Sequence, residues 1–195
     1  MLKQITADIA ELEGAIAAVD DRLQVLEKAY LQSICQSARQ QLWVAAYRLC
    51  TQVHPQEFLG LSVRDREQVQ NQLRAIAEGA VVRCQGLMVD SETGGQGGLG
   101  DALEEKLGQV LTEATTAIAQ DLRAAGVLPD DKGAHPLHLR VADVEFGDRV
   151  AMAYRSEMRV VRARRHHLGD ELVKKHRQKL VAEAELAWRA TWVEP

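Results

Sequence analysis

Apolar residues near the start of the chain recur in alternating steps of four and three, the heptad spacing of a helix that packs along a second helix. Beyond Tyr30 this seam broadens, so the same helix is expected to meet more than one neighbour there. Pro55 disfavours a helical conformation at His54, which places the predicted end of the helix near Val53. The seam consists of Ile5, Ile9, Leu12, Ile16, Val19, Leu23, Leu26 and Tyr30.

Two shorter helices are predicted in the middle of the chain. Ser62 is the expected N-cap of the first, with Asp65 as its capping-box partner. This helix ends in a glycine-rich stretch, residues 90–100, which predicts a flexible loop. The next helix is expected over residues 101–125, and Gly126 suits the position just after its end, where a positive φ is common.

A last long helix is predicted from near Arg140 to near Trp192. At 1.5 Å per residue, the first and last helices would each measure ~75 Å and the middle two ~40 Å. Because the two short helices together carry the chain half-way down and back again, the last helix runs antiparallel to the first along its full length. The clearest seam of the last helix is Tyr154, Met158, Val161, Leu168 and Leu172.

The predicted fold is therefore all-α, an elongated helical bundle that forms a single domain over residues 1–195. The terminal helices are expected to form an antiparallel coiled-coil stalk from about residues 1–28 and 166–195. The two shorter helices would complete a four-helix head over about residues 29–165.

Charge gives a predicted register for the stalk. The first thirty residues hold six acids and three bases, whereas residues 162–189 hold eight bases and four acids. Pairing residues whose numbers add to about 194 opposes Asp20 to Lys174 and Arg22 to Asp170, and brings Ile5 near Trp188, which would seal the stalk.

Composition limits the classes of protein that the chain can belong to. Three cysteines, Cys35, Cys50 and Cys84, lie far apart in helical segments, and an odd number disfavours a disulfide framework. The sequence contains neither a signal-peptide-like start nor an apolar run of about 18 residues, so no transmembrane segment is expected. These features predict a cytoplasmic protein.

Motifs for catalysis, cofactors or metals are weak. Gly95, Gly97 and Gly100 match the spacing of a dinucleotide-binding loop, but the strand that such a loop requires is not predicted before them. None of the six histidines follows a glutamate by three residues, as di-metal helical bundles require. No catalytic residue, cofactor or metal is therefore predicted, and the chain is not expected to be an enzyme.

The last helix carries the best candidate for a functional surface, because a run of cations there would suit an anionic partner. The alternative interpretation is that some of these cations face the acidic first helix and the rest are solvated. Aromatic residues are typical interface anchors, so Trp192 is included in the candidate surface. Trp43 and Tyr47 are instead interpreted as packing residues. The candidate surface is Arg155, Arg159, Arg162, Arg164, Arg165, Lys174, Lys175, Arg177, Lys179 and Trp192.

The function expected from these features is a non-enzymatic protein–protein interaction, as in a scaffold or assembly protein. Binding of nucleic acid by the basic face of the last helix is the alternative. A net charge of −4 and the absence of interleaved aromatics count against it. A homodimer is possible, since a second copy can also satisfy a heptad seam.

Overall fold

The computed structural model describes residues 2–93, 100–129 and 137–191, and all regular secondary structure within these ranges is helical. The predicted all-α fold, in which the long N-terminal helix packs against the C-terminal helix, is confirmed. The elements are α1 (Leu2–Arg48), a π-helical turn (Leu49–Val53), α2 (Pro55–Gly60), α3 (Val63–Thr93), α4 (Gly100–Ala124), α5 (Val141–Phe146) and α6 (Arg149–Thr191).

The chain divides into two compact units, and the long helices α1 and α6 each contribute to both. Unit 1 consists of Met1–Glu27 and Tyr154–Pro195, and unit 2 consists of Lys28–Ala153. The expectation of one domain with a stalk and a head stays a prediction.

In unit 1, the predicted seams of α1 and α6 are the faces that lose solvent. Val19 and Leu26 of α1 are buried, as is Met158 of α6, and the other seam positions of this unit are buried or half-buried. Asp8 binds Lys175 and Asp20 binds Arg165, so numbering rises along one helix as it falls along the other. The two helices are therefore antiparallel, as predicted.

The predicted register of this pair is wrong. Asp20 was expected opposite Lys174 but binds Arg165, and Arg22 binds Glu157 rather than lying opposite Asp170. The observed register brings the apolar seams of both helices to the same level along the pair. Exposed ion pairs contribute only ~0–1 kcal/mol each, so the charge pattern alone does not select the register.

The predicted seal by Trp188 is wrong for the same reason. The pair formed by Asp8 and Lys175 sets Ile5 about ten residues away from Trp188, or ~15 Å along α6. Trp188 is 65% exposed.

Unit 2 buries one face of each of its three longest helical segments. Short side chains alternate with leucines there, which lets the helices approach closely. The buried residues include Leu31, Ile34, Cys35, Ala38 and Leu42 of α1, Leu73, Ala77, Ala80 and Cys84 of α3, and Leu107, Ala114, Ile118 and Leu122 of α4.

The predicted helix ends around α3 and α4 are largely confirmed. The Ser62 hydroxyl accepts from the backbone N–H of Asp65 at 3.2 Å and donates to its carboxylate at 2.7 Å. Gly126 adopts a φ of 75°, and Val127 beyond it is fully buried. The loop predicted over residues 90–100 starts too early, because α3 continues to Thr93 and α4 begins at Gly100. Residues 94–99 lie outside the described residues.

The predicted last helix is broken, which corrects its expected start near Arg140. It consists of α5 and α6, separated by Gly147 and Asp148. A Cβ at Gly147 would lie 2.6 Å from the side-chain nitrogen of Gln41 on α1, so a larger residue there would displace the end of that flexible side chain.

Asp148 uses both carboxylate oxygens at this break. Oδ1 accepts from the backbone N–H groups of Val150 and Ala151 at 2.8 and 3.2 Å, which caps α6. Oδ2 accepts from the hydroxyls of Ser33 and Ser37 on α1, both at 2.6 Å. One side chain therefore starts α6 and fixes that start against α1 within unit 2.

We expect Asp148→Ala to lower the free energy of unfolding by about 1–3 kcal/mol, because it removes a cap and leaves two half-buried hydroxyls without their acceptor. Urea unfolding followed by circular dichroism measures the change. Asp65→Ala, which removes an exposed acid at the start of α3, is the control and should cost less. An equal or smaller loss for Asp148→Ala would contradict the anchoring role.

The effect of Asp148 should also depend on pH. Burial raises the pKa of Asp148, but the hydrogen bonds from Ser33, Ser37 and two backbone N–H groups outweigh it and leave the pKa below its ordinary value. Its stabilisation is therefore present above the unfolded pKa of about 4 and is lost as pH falls through the lower folded value. The difference between wild type and Asp148→Asn should shrink toward pH ~3.

The register in unit 1 predicts which α6 residue lies at the level of Glu11. Spin labels at Glu11 and Val173, both exposed, should be closer than labels at Glu11 and Glu183, which the charge-based register would favour. Ten residues correspond to ~15 Å of helix axis. Pulsed electron resonance on variants in which the three native cysteines are alanine measures both distances, and the reverse order would contradict the observed pairing.

Candidate interaction surfaces

Part of the predicted basic surface of α6 is used inside unit 1. Three of its cations reach across to acids of α1, and these contacts leave the cations only partly exposed. The pairs are Arg162 with Glu27 at 3.0 Å, Arg165 with Asp20 at 3.2 Å and Lys175 with Asp8 at 2.7 Å.

These cations occupy positions that continue the seam of α6. The stem of a long cationic side chain covers apolar surface while its charged end reaches solvent or an acid. Hydrogen bonds from Lys175 and then Gln4 hold the pKa of Asp8 below its ordinary value, so this acid is ionised at neutral pH. The three paired cations therefore belong to the structure of unit 1. This agrees with the alternative interpretation, in which some cations of the last helix face the acidic first helix.

The remaining residues of the predicted candidate surface differ in whether they have a partner within the protein. Lys179 lies 3.9 Å from Glu183 on its own helix, and Arg155 has a partner within the protein. Trp192 lies outside the described residues. Four exposed cations have neither an ion pair nor a hydrogen bond with any residue that the structure describes, namely Arg159, Arg164, Lys174 and Arg177.

These four cations, the outward cations of α6, do not form one line. At about 100° per residue, Arg159 and Arg177 project in the same direction, Lys174 lies about 60° to one side and Arg164 about 140°. They are therefore spread over more than a third of the helix circumference. A ligand that contacts all of them must wrap around α6.

Histidines on the same helix are engaged by acids one turn further on. His166 lies 3.2 Å from Asp170, and His167 lies 3.6 Å from Glu171. Within the described ranges, no group of three or more His, Cys, Asp or Glu side chains is placed to hold a metal ion. Most of the glycine motif at residues 95–100 lies beyond what the structure describes.

Unit 2 carries a surface that sequence reasoning missed. Trp43 and Tyr47 of α1 are 37% and 58% exposed, and they border an apolar cavity of about 90 Å³. Phe58 of α2 and the buried Cys50 also line this cavity. We call this cavity and its walls the aromatic groove, which consists of Trp43, Ala46, Tyr47, Cys50, Thr51, Phe58, Gln70 and Leu73.

The π-helical turn shapes this groove. The backbone N–H of His54 donates to the carbonyl of Leu49 at 2.9 Å, five residues back, and His54 itself has a φ of −124°. Pro55 then begins α2 instead of ending all helical structure. This reversal of the chain brings Phe58 beside the groove, and Arg66 of α3 lies 6.0 Å from the centre of its ring.

A second, more open cavity of about 340 Å³ also lies between α1 and α3 and shares Trp43 with the first. The guanidinium of Arg74 lies 5.7 Å from the centre of the Trp43 ring, a cation–π distance. Arg39 of α1 and Glu78 of α3 also line this cavity, and all three charged residues are exposed. We count this second cavity as the charged end of the aromatic groove and the first cavity as its apolar end.

The three cysteines are free and buried. Cys35 and Cys84 are at most 2% exposed, and the hydrogen bond between them, followed by burial, raises the pKa of Cys35. Burial also raises the pKa of Cys50. Cys35 and Cys50 are therefore protonated at neutral pH and act as small packing residues.

Comparisons of the chain with known protein families, characterised proteins and solved structures return no match. Among the described helices, none has the length and apolar character needed to cross a membrane.

Proposed function

We propose that this chain is a non-enzymatic cytoplasmic protein that binds another protein through helical surfaces, as a scaffold or assembly protein does. The aromatic groove of unit 2 is the observation that supports the proposal most directly. Aromatic and arginine side chains are enriched at the energetic centres of protein interfaces. Trp43 and Arg74 provide that combination at the surface.

The shape of the groove supports the same conclusion. An apolar cavity of about 90 Å³ accommodates one side chain, while partly exposed aromatic rings form its rim. A side chain that fills such a cavity loses much of its contact with water, and well-packed, desolvated pockets are where interface residues contribute most. Free, buried cysteines are consistent with a reducing compartment.

We expect Tyr47→Ala and Trp43→Ala to abolish recovery of a stoichiometric protein partner when the tagged full chain is isolated at physiological salt from its own cells. Tyr47 is 58% exposed, so its removal should leave unit 2 folded. Val25→Ala in unit 1, at a site 57% exposed, is the matched control and should retain the partner. If wild type recovers no such partner, or both groove variants retain it, the proposal is contradicted.

Nucleic-acid binding is a second candidate, supported by the outward cations of α6. Cations without protein partners are available to phosphates, and their contribution to affinity depends steeply on salt. Against it, the spread of these cations around α6 suits a ligand that wraps better than a straight duplex groove.

If α6 binds nucleic acid, replacing the four outward cations by glutamine should weaken binding of labelled single-stranded RNA or DNA and flatten its salt dependence. Each lost phosphate contact reduces the slope of log K against log salt by about 0.7 for single strands. Fluorescence anisotropy measures both quantities. The control removes four exposed cations elsewhere, Lys3, Arg48, Arg64 and Lys106, by the same substitution. Absence of binding by wild type at ~50 mM salt would exclude this function.

A further inference from the structure

The charged end of the aromatic groove contains two exposed arginines. Arg39 of α1 and Arg74 of α3 line the same cavity as Trp43. Neither guanidinium forms an ion pair in the parts of the chain that the structure describes, and Arg74 lies against the Trp43 ring. One acid, Glu78, lines the same cavity, so the charged end carries a net positive charge.

The groove is long as well as apolar. Along α1 its lining runs from Gln36 to Thr51, or ~22 Å of helix axis. Apolar walls occupy the end near Phe58, and the arginines occupy the other end. A ligand that matches this surface is elongated, with an apolar group at one end and negative charge toward the other.

We propose that the aromatic groove binds an acidic amphipathic helix of a partner protein. An aliphatic side chain of that helix fills the cavity beside Cys50, and carboxylates one or two turns away contact Arg39 and Arg74. Four turns of helix span the length of the groove. The inference rests on the proposed protein-binding function and names the chemical class of the partner.

The charge of the groove favours this helix over other occupants. A basic helix would bring its cations against Arg39 and Arg74, and like charges at an interface select against a partner. A small anion would satisfy the arginines but leave the apolar cavity unfilled. Only an occupant with both features uses the whole groove.

The test titrates the full chain with a synthetic amphipathic helical peptide of about 16 residues that carries leucine on one face and glutamate on both flanks. Trp188→Phe and Trp192→Phe leave Trp43 as the only tryptophan, so its fluorescence reports on the groove. Matched peptides replace glutamate by lysine, or the central leucine by alanine. Sodium acetate and sodium phosphate test small anions.

The acidic peptide should bind at least about tenfold more tightly than the lysine peptide, and loss of the central leucine should weaken it by about tenfold. Replacing both arginines, Arg39→Glu and Arg74→Glu, should reverse the preference so that the lysine peptide binds more tightly. Circular dichroism confirms that these surface variants keep their helices. The reversal has to come from the arginines, because a misfolded variant would lose both peptides.

Several outcomes would overturn this inference without touching the proposed function. These are equal or tighter binding of the lysine peptide, an unchanged preference in the double variant, and a response to acetate or phosphate that equals the response to the peptide. No response to the acidic peptide up to about 1 mM would also overturn it. The proposed function fails separately, when the tagged chain recovers no partner that depends on Tyr47.

Discussion

The apolar seam between α1 and α6 determines which charged residues of unit 1 pair with each other and which remain exposed. Burial of apolar surface is the dominant favourable contribution to folding, and it fixes the register in which the two helices lie. Charges then pair where this register allows. Arg162, Arg165 and Lys175 become parts of the seam through their acids on α1. The outward cations of α6 are those of this run without an ion pair or hydrogen bond to another described residue.

Unit 2 depends on a different kind of contact. Its helices pack through alanine, cysteine and leucine, and the start of α6 is held by the two-sided carboxylate of Asp148. This polar anchor and the apolar core leave one seam between α1 and α3 incompletely covered. The aromatic groove lies along that seam, where Trp43 and Tyr47 cover part of the underlying core without closing it. A candidate binding surface thus arises where packing is incomplete rather than where catalytic groups converge.

The sequence predicted those features that rest on strong local rules. Heptad spacing gave the seams, Ser62 and Asp65 gave a helix start, and Gly126 gave a helix end, because each depends on a few neighbouring residues. Register failed because many arrangements of exposed charges have nearly equal energies. The break at Gly147 and Asp148 carries a recognisable signal, a glycine followed by a capping residue, but the partners that stabilise it lie more than a hundred residues away on α1. The aromatic groove required knowing which side of α1 remains uncovered, and periodicity alone does not contain that information.

The aromatic groove depends on the number of residues in the π-helical turn at Leu49–Val53. A π-helical hydrogen bond spans one more residue than an α-helical one. A single deletion in this turn would therefore restore ordinary α-helix and rotate the following residues by about 100° around the helix axis. Phe58 would then leave the groove, although every wall residue would still be present in the sequence. Substitutions between Trp43 and Phe58 alter the groove locally, whereas insertions and deletions dismantle it. In distant versions of this chain, the spacing between these two aromatics would be a better marker of a shared binding surface than the identity of the residues between them.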